Sequence, residues 1–192
     1  RIEWKMVTSW PRGLPGLATG ADRIAQRIGE MSDGRLTVRV FHAGELVPAL
    51  QGVDAVSAGT AEMGHDASYY HIGKSPGFQF WTCVPFGFIA SEQTGWVNHG
   101  GGQALWDELY DQYGIQGWLG GNTNAQAFGW FRREITGVES FRGLKYRMPG
   151  WGGQILSRLG TTVVVLPGGE IFAALQSGAV DAAEWVGPYN DL

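Results

Sequence analysis

The order in which the apolar pattern changes period along the chain restricts its fold more than any single residue does. "IEWKMVTSW" alternates like a strand and runs into Pro11 and Gly13. "GLATGADRIAQRIGEMSDG" then spaces Leu17, Ala21, Ile24, Ile28 and Met31 at helical intervals and closes on Gly34. "RLTVRVFHAG" returns to strand, "PALQGVDAVSAG" reads as a helix and "TAEMGHD" as a short strand. Strand, helix, strand, helix, strand in that order predicts a parallel sheet covered by helices.

Residues 67 to 102 are rich in aromatics, Gly and Pro and predict loops with short helices. Beyond them, "GQALWDELYDQYG" reads as a helix and "IQGWLGG" as a strand, and "NTNAQAFGWFRREI" as an extended connection. The strand "GLKYRM", the helix "GGQILSRLG", the strand "TTVVVLP", the helix "EIFAALQSG" and the short strand "VDAAEW" follow. Two of these stretches share one grammar. "HAGELVPALQGVDAVSAGTAEMGHD" and "PGGEIFAALQSGAVDAAEW" each give Gly-Glu-aliphatic, a helix with Ala-Leu-Gln, a turn with Gly and a short acidic strand, the second copy having the shorter helix. Aligning Gly59 with Gly178 sets Glu62 against Asp181, His65 against Glu184 and Asp66 against Trp185. Two similar lobes follow, with strand ends facing across a cleft and "GGNTNAQAFGWF" crossing between them.

Composition removes several function classes. Over 192 residues the net charge is −4 and no basic stripe stands out, which argues against nucleic acid and anionic membranes as partners. No apolar run nears the roughly 20 residues of a membrane-spanning helix, so the chain reads as soluble. The single cysteine, Cys83, sits in "WTCVPFGF" and reads as buried and inert. No leader precedes "RIEWKMVTSW", so an exported protein is expected to be in its mature form here.

"FRGLKYRMPG" places two arginines and a lysine in a strand-like run. Leu144, Tyr146 and Met148 share one face, and Lys145 and Arg147 the other. Lys145 starts the run and can reach water. Arg147 ends it, where open α/β sheets bind ligands. The histidines His42, His65, His71 and His99 lack zinc-site spacing, and His65 reads as structural. No GxSxG elbow or Walker lysine occurs, and "GGGQ" and "PGG" are weak phosphate signals.

"VTSWP" followed by "GLPGL", then "AGTAEMGHDASYY", "GWFRREI", "GLKYRMPG" and "PGGEIFAALQSGAVDAAEWVGPYND" together resemble the solute-binding subunit of a tripartite ATP-independent periplasmic (TRAP) transporter. The resemblance runs end to end and is closest to the branch that binds 2-oxo acids such as pyruvate, or lactate. It implies an α/β, two-lobed, periplasmic-binding-protein-like fold. Each lobe is a mainly parallel sheet flanked by helices, with crossing strands joining residues 1–122 to residues 123–192. Family members run longer than "GPYNDL", so the second lobe is expected to be incomplete and the sequence a fragment.

The resemblance assigns residues as well. Arg147 matches the arginine that clamps the substrate carboxylate, a role suited to a planar fork of donors; the competing reading is a salt bridge to an acid such as Glu134. Gln126, Glu184 and the backbone carbonyl of Trp185 match a metal site, and hard oxygen donors suit Na⁺ or Ca²⁺ bridging the ligand. Read without the family, Gln126 is an ordinary polar residue and Glu184 a capping or surface acid. Asp66, Tyr69, Tyr70 and Trp10 are first-lobe candidates for ligand contact, with aromatic packing the alternative for the rings. The implied function is a periplasmic receptor for a small 2-oxo or 2-hydroxy monocarboxylate, using a cation but no organic cofactor and no catalysis. It delivers its ligand to the TRAP membrane permease, with a homodimer allowed. The rivals are a metal-assisted enzyme acting on 2-oxo acids and, further off, a sugar-binding module.

Overall fold

The computed structural model describes residues 1–191. The chain forms two compact units, Arg1–Ala67 with Ile89–Thr123, and Ser68–Phe88 with the chain from Asn124 onward. The sequence predicts one boundary, at 122/123, with Ser68–Phe88 in the first lobe. That segment belongs to the second unit because its two short 3-10 helices, Ser68–His71 and Pro76–Trp81, pack on one another and on residues of that unit. The Phe80 ring meets Trp151 edge-on at 5.9 Å.

In the first unit β1 (Ile2–Thr8), α1 (Leu17–Met31), β2 (Leu36–Phe41), α2 (Gly52–Ser57) and β3 (Met63–His65) follow the expected order. The sheet runs β2-β1-β3 and is parallel throughout. The helix α1 buries Ala18, Ala21 and Ala25, small side chains that let it approach the sheet, while Met31 at its end is 85% exposed. The apolar stripe read from sequence is therefore centred one residue away from Leu17 and Met31. Two further helices, α3 (Ala90–His99) and α4 (Gly102–Asp111), complete the unit. The strand expected over "IQGWLGG" does not form. Gly117, Gly120 and Gly121 interrupt it, and side chains hold it instead: the Gln103 amide donates to the Gly117 carbonyl at 2.8 Å.

In the second unit β4 (Trp130–Phe131), β5 (Lys145–Arg147), α5 (Gly150–Arg158), β6 (Thr162–Val164), α6 (Gly168–Ser177) and β7 (Ala182–Ala183) build a sheet of order β4-β7-β5-β6. The pairs β5·β6 and β5·β7 are parallel, and β4 runs antiparallel to β7. Leu144, Tyr146 and Met148 point into a core shared with Phe141, Leu156 and Ala182, while Lys145 stays in solvent, as the alternation predicts.

The two copies of the repeat have the same local geometry. Gly59 and Gly178 both adopt positive φ, 71° and 76°. The Ala61 amide donates to Ala55 at 3.3 Å and the Val180 amide to Ala174 at 3.2 Å, each closing its helix. The Lys5 amide donates to the Glu62 carboxylate at 2.7 Å, and the Lys145 amide to the Asp181 carboxylate at 2.9 Å. Two details are corrected. The second helix is the longer, 10 residues against 6. Ala49, Leu50 and Gln51 precede α2 in a turn closed by the Gln51 amide on the Pro48 carbonyl at 3.0 Å, so the shared Ala-Leu-Gln is not structurally equivalent.

Candidate functional site

Arg147 is the last residue of β5, and its side chain is 0% exposed. A guanidinium held out of water needs acceptors, and three backbone or carboxyl oxygens supply them. Nε donates to the Leu166 carbonyl at 3.1 Å; Nη1 donates to the Glu184 carbonyl at 2.7 Å and to Glu184 Oε2 at 3.3 Å. Its acid partner is thus Glu184 and not Glu134. Nη2 is held less firmly, by one long contact of 3.5 Å to the Tyr70 hydroxyl. The Trp185 ring lies beneath the group, 5.1 Å from centroid to Cζ, adding a cation–π contact.

Glu184 follows β7 and is 4% exposed. Burial pushes its carboxyl up to about 8, with Arg147 pulling the other way and Asp191 adding to the rise. Its second oxygen, Oε1, is buried without a hydrogen-bond partner among the described residues. Gln126 is brought opposite Trp185 because residues 126–132 run antiparallel along β7: the Ala127 amide donates to Val186 at 2.7 Å and the Arg132 amide to Asp181 at 3.2 Å. Gln126 Nε2 then donates to the Trp185 carbonyl at 3.0 Å. A half-turn of that amide exchanges its nitrogen for Oε1 and sets two oxygens side by side. With the orphaned Glu184 Oε1 on the adjoining residue, these are hard oxygen donors of the kind a Na⁺ or Ca²⁺ ion takes. No group of three or more His, Cys, Asp or Glu among the described residues could hold a metal, so any cation here needs amide and backbone oxygens beside the single carboxyl of Glu184.

Tyr69 and Tyr70 belong to the second unit, not to the first as the sequence reading placed them. Their rings meet edge to face at 4.7 Å and their hydroxyls share a hydrogen bond, so Tyr70 links Tyr69 to Arg147. Burial raises the pKa of both phenols, and both remain neutral donors at physiological pH. Gly150, at φ 65°, starts α5 beside Tyr69; a Cβ there would stand 3.3 Å from Tyr69 Cβ and 3.7 Å from Gln79 Oε1. Gln79 is 0% exposed and its Oε1 has no partner among the described residues. Sequence reasoning missed Gln79 and Gly150. Gly150 was visible in "PGWGG", but only as a generic turn signal.

Trp10 and Asp66 lie in the first unit. Trp10 Nε1 donates to His65 Nδ1 at 2.7 Å, and His65 Nε2 lies 3.2 Å from the Gly120 carbonyl. His65 is therefore held in the Nε2-protonated form, a structural tie between strand ends and the chain after α4. The Asp66 carboxylate packs over Gly52 at the start of α2, with Oδ2 2.7 Å from where a Cβ would stand.

A family model described as bacterial extracellular solute-binding protein, family 7 matches residues 8–191. The chain belongs to that family. A monocarboxylate 2-oxoacid-binding periplasmic protein of Nostoc sp. is 53% identical over 190 residues, which is 99% of this chain and 52% of the relative. The chain thus spans about half the length of the curated relative it matches. A TRAP transporter solute-binding protein of Bordetella bronchiseptica, solved as a mixed-occupancy dimer with copurified calcium and picolinate in one site, superposes with a TM-score of 0.97 at 42% identity; the match covers 99% of this chain and 56% of that one. A TRAP periplasmic solute-binding protein of Pseudoalteromonas atlantica, solved with sodium and pyruvate, gives 0.97 at 44% identity over 100% of this chain and 58% of that one. These likenesses agree with an α/β fold of parallel sheets flanked by helices. Among the described residues, no helix of this family member is long and apolar enough to cross a membrane.

Proposed function

We propose that this family member is the periplasmic receptor of a TRAP transporter for a small 2-oxo or 2-hydroxy monocarboxylate, and that it passes the acid unchanged to a membrane permease. One observation carries the reading: Arg147 is buried in a shell of acceptors yet keeps its Nη2 edge beside the Tyr70 hydroxyl, next to the oxygen donors of Gln126, Glu184 and Trp185. Nη2 and the Tyr70 hydroxyl are two donors for one carboxylate. The oxygen trio would hold Na⁺ or Ca²⁺, which neutralises charge and accepts the ligand's 2-oxo oxygen.

The ligands of the two solved relatives support this choice. Pyruvate and picolinate have little in common except a carboxylate with a second donor atom on the adjacent carbon, the arrangement that chelates one cation. A simple fatty acid lacks the second donor. The two units are proposed as the two ligand-binding lobes, with Trp10 and Asp66 as the first unit's contributions. A homodimer is compatible with the dimeric relative. The enzymatic alternative needs a general base in reach of the ligand. Glu184, the carboxyl that burial pushes up to about 8, is committed to Arg147 instead.

The test is calorimetric titration of the full-length protein with pyruvate, propionate and a neutral sugar, followed by recovery of the pyruvate. The reading predicts saturable binding of pyruvate alone and quantitative recovery of it. Binding of the sugar, or conversion of pyruvate, would overturn it.

A further inference from the structure

Gly168 opens α6, and its backbone lies outside the positive-φ region, so nothing in the chain conformation there calls for glycine. What calls for it is the Trp185 ring. A Cβ on residue 168 would stand 2.5 Å from Trp185 Cη2, 2.9 Å from Cζ2 and 3.0 Å from Cζ3. The ring also lies against the Arg147 guanidinium at 5.1 Å, whose Nε donates to Leu166, two residues before Gly168. The segment Leu166–Gly168 therefore holds the guanidinium by its carbonyl and the indole by the absence of a side chain.

The first repeat shows the same arrangement with a different occupant. Gly52 opens α2, is likewise outside positive φ, and carries the Asp66 carboxylate at 2.7 Å from a would-be Cβ. Asp66 and Trp185 are equivalent by the alignment of Gly59 with Gly178. In both copies, then, the side chain beyond the repeat's last strand rests on a glycine at the first position of the helix preceding it.

We propose that Gly168 is a positioning residue for the binding site: it seats the Trp185 indole under Arg147, and so fixes both the guanidinium plane and the Trp185 backbone carbonyl. The proposal deepens the receptor reading and rests on it for its effect on a ligand. Any side chain at 168 displaces the indole.

A double-mutant cycle on the full-length protein tests this, with Gly168→Ala, Trp185→Leu and the double variant compared for thermal midpoint without ligand and for pyruvate affinity. Gly168→Ala is expected to weaken pyruvate binding at least tenfold and lower the midpoint in the Trp185 background. In the Trp185→Leu background, where the ring is gone, it should change both by less than twofold in affinity and by little in midpoint. Equal effects in the two backgrounds, or pyruvate affinity within twofold of wild type in Gly168→Ala, would overturn the proposal. Should wild type bind no 2-oxo acid, the receptor reading fails, and the ligand-free midpoints still decide whether Gly168 seats the ring.

Discussion

Buried cations need acceptors, and at Arg147 the supply is lopsided: Nε and Nη1 are engaged at 2.7–3.3 Å while Nη2 has one contact of 3.5 Å. That asymmetry is what supports the proposed binding role over a purely structural one. Arg147→Lys keeps the charge and loses the fork; with charged hydrogen bonds worth about 1.5–3 kcal/mol, pyruvate affinity should fall at least roughly tenfold, and titration calorimetry checks it. Glu184 gives a second prediction at this scale. Unfolded, the carboxyl ionises near its ordinary value of 4.5; folded, it holds its proton to about 8. Between those values the native state binds more protons, so its contribution to stability is full below about 4.5 and falls as pH rises to about 8. In the ligand-free protein, the midpoint of wild type relative to Glu184→Gln should therefore decline across that window and level off on either side. Parallel pH profiles would contradict it. Arg147 could be picked from sequence because it ends an alternating strand, where open α/β sheets bind ligands, and matches the family's carboxylate-clamping arginine. Its pairing with Glu184 could not, since 37 residues separate the two and only the β5·β7 register joins them.

At the scale of elements, the strip from Gln126 to Arg132 governs the site because it carries the amide that faces Trp185. Gly129 lets it lie flat: its φ is 139°, and a Cβ would run into the Tyr146 hydroxyl and the Ala183 carbonyl. The Tyr146 hydroxyl itself donates to the Phe128 carbonyl. Gly129→Ala combines strain with overpacking and should cost about 1–3 kcal/mol in urea unfolding, with weakened cation binding as the strip lifts. Periodicity revealed most strands and helices here, since amphipathic faces are written locally. It failed where another force set the structure. The "IQGWLGG" run has strand-like residues, but glycines and a side-chain donor, the Gln103 amide, take the place of a neighbouring strand. The Ala-Leu-Gln of the first repeat was read as helix, although Pro48 closes a turn there.

For the whole molecule, the family and the α/β architecture were readable from end-to-end motifs, whereas the membership of Ser68–Phe88 in the second unit was not. A segment inserted between two stretches of one unit shows no sign of leaving it until its contacts are seen. The consequence bears on the proposed site: Tyr69 and Tyr70 lie in the same unit as Arg147, Glu184 and Gln126. The claim that all of this serves a chelating acid is most directly tested by thermal shift of the full-length, chelator-stripped protein with pyruvate, lactate or propionate, each with Na⁺, Ca²⁺ or neither. At a hundredfold excess over the dissociation constant a ligand adds about 2.7 kcal/mol of stability. The account predicts a clear upward shift for pyruvate or lactate that requires one of the cations and disappears in Arg147→Met. A shift of the same size with propionate, or with no cation present, would contradict it.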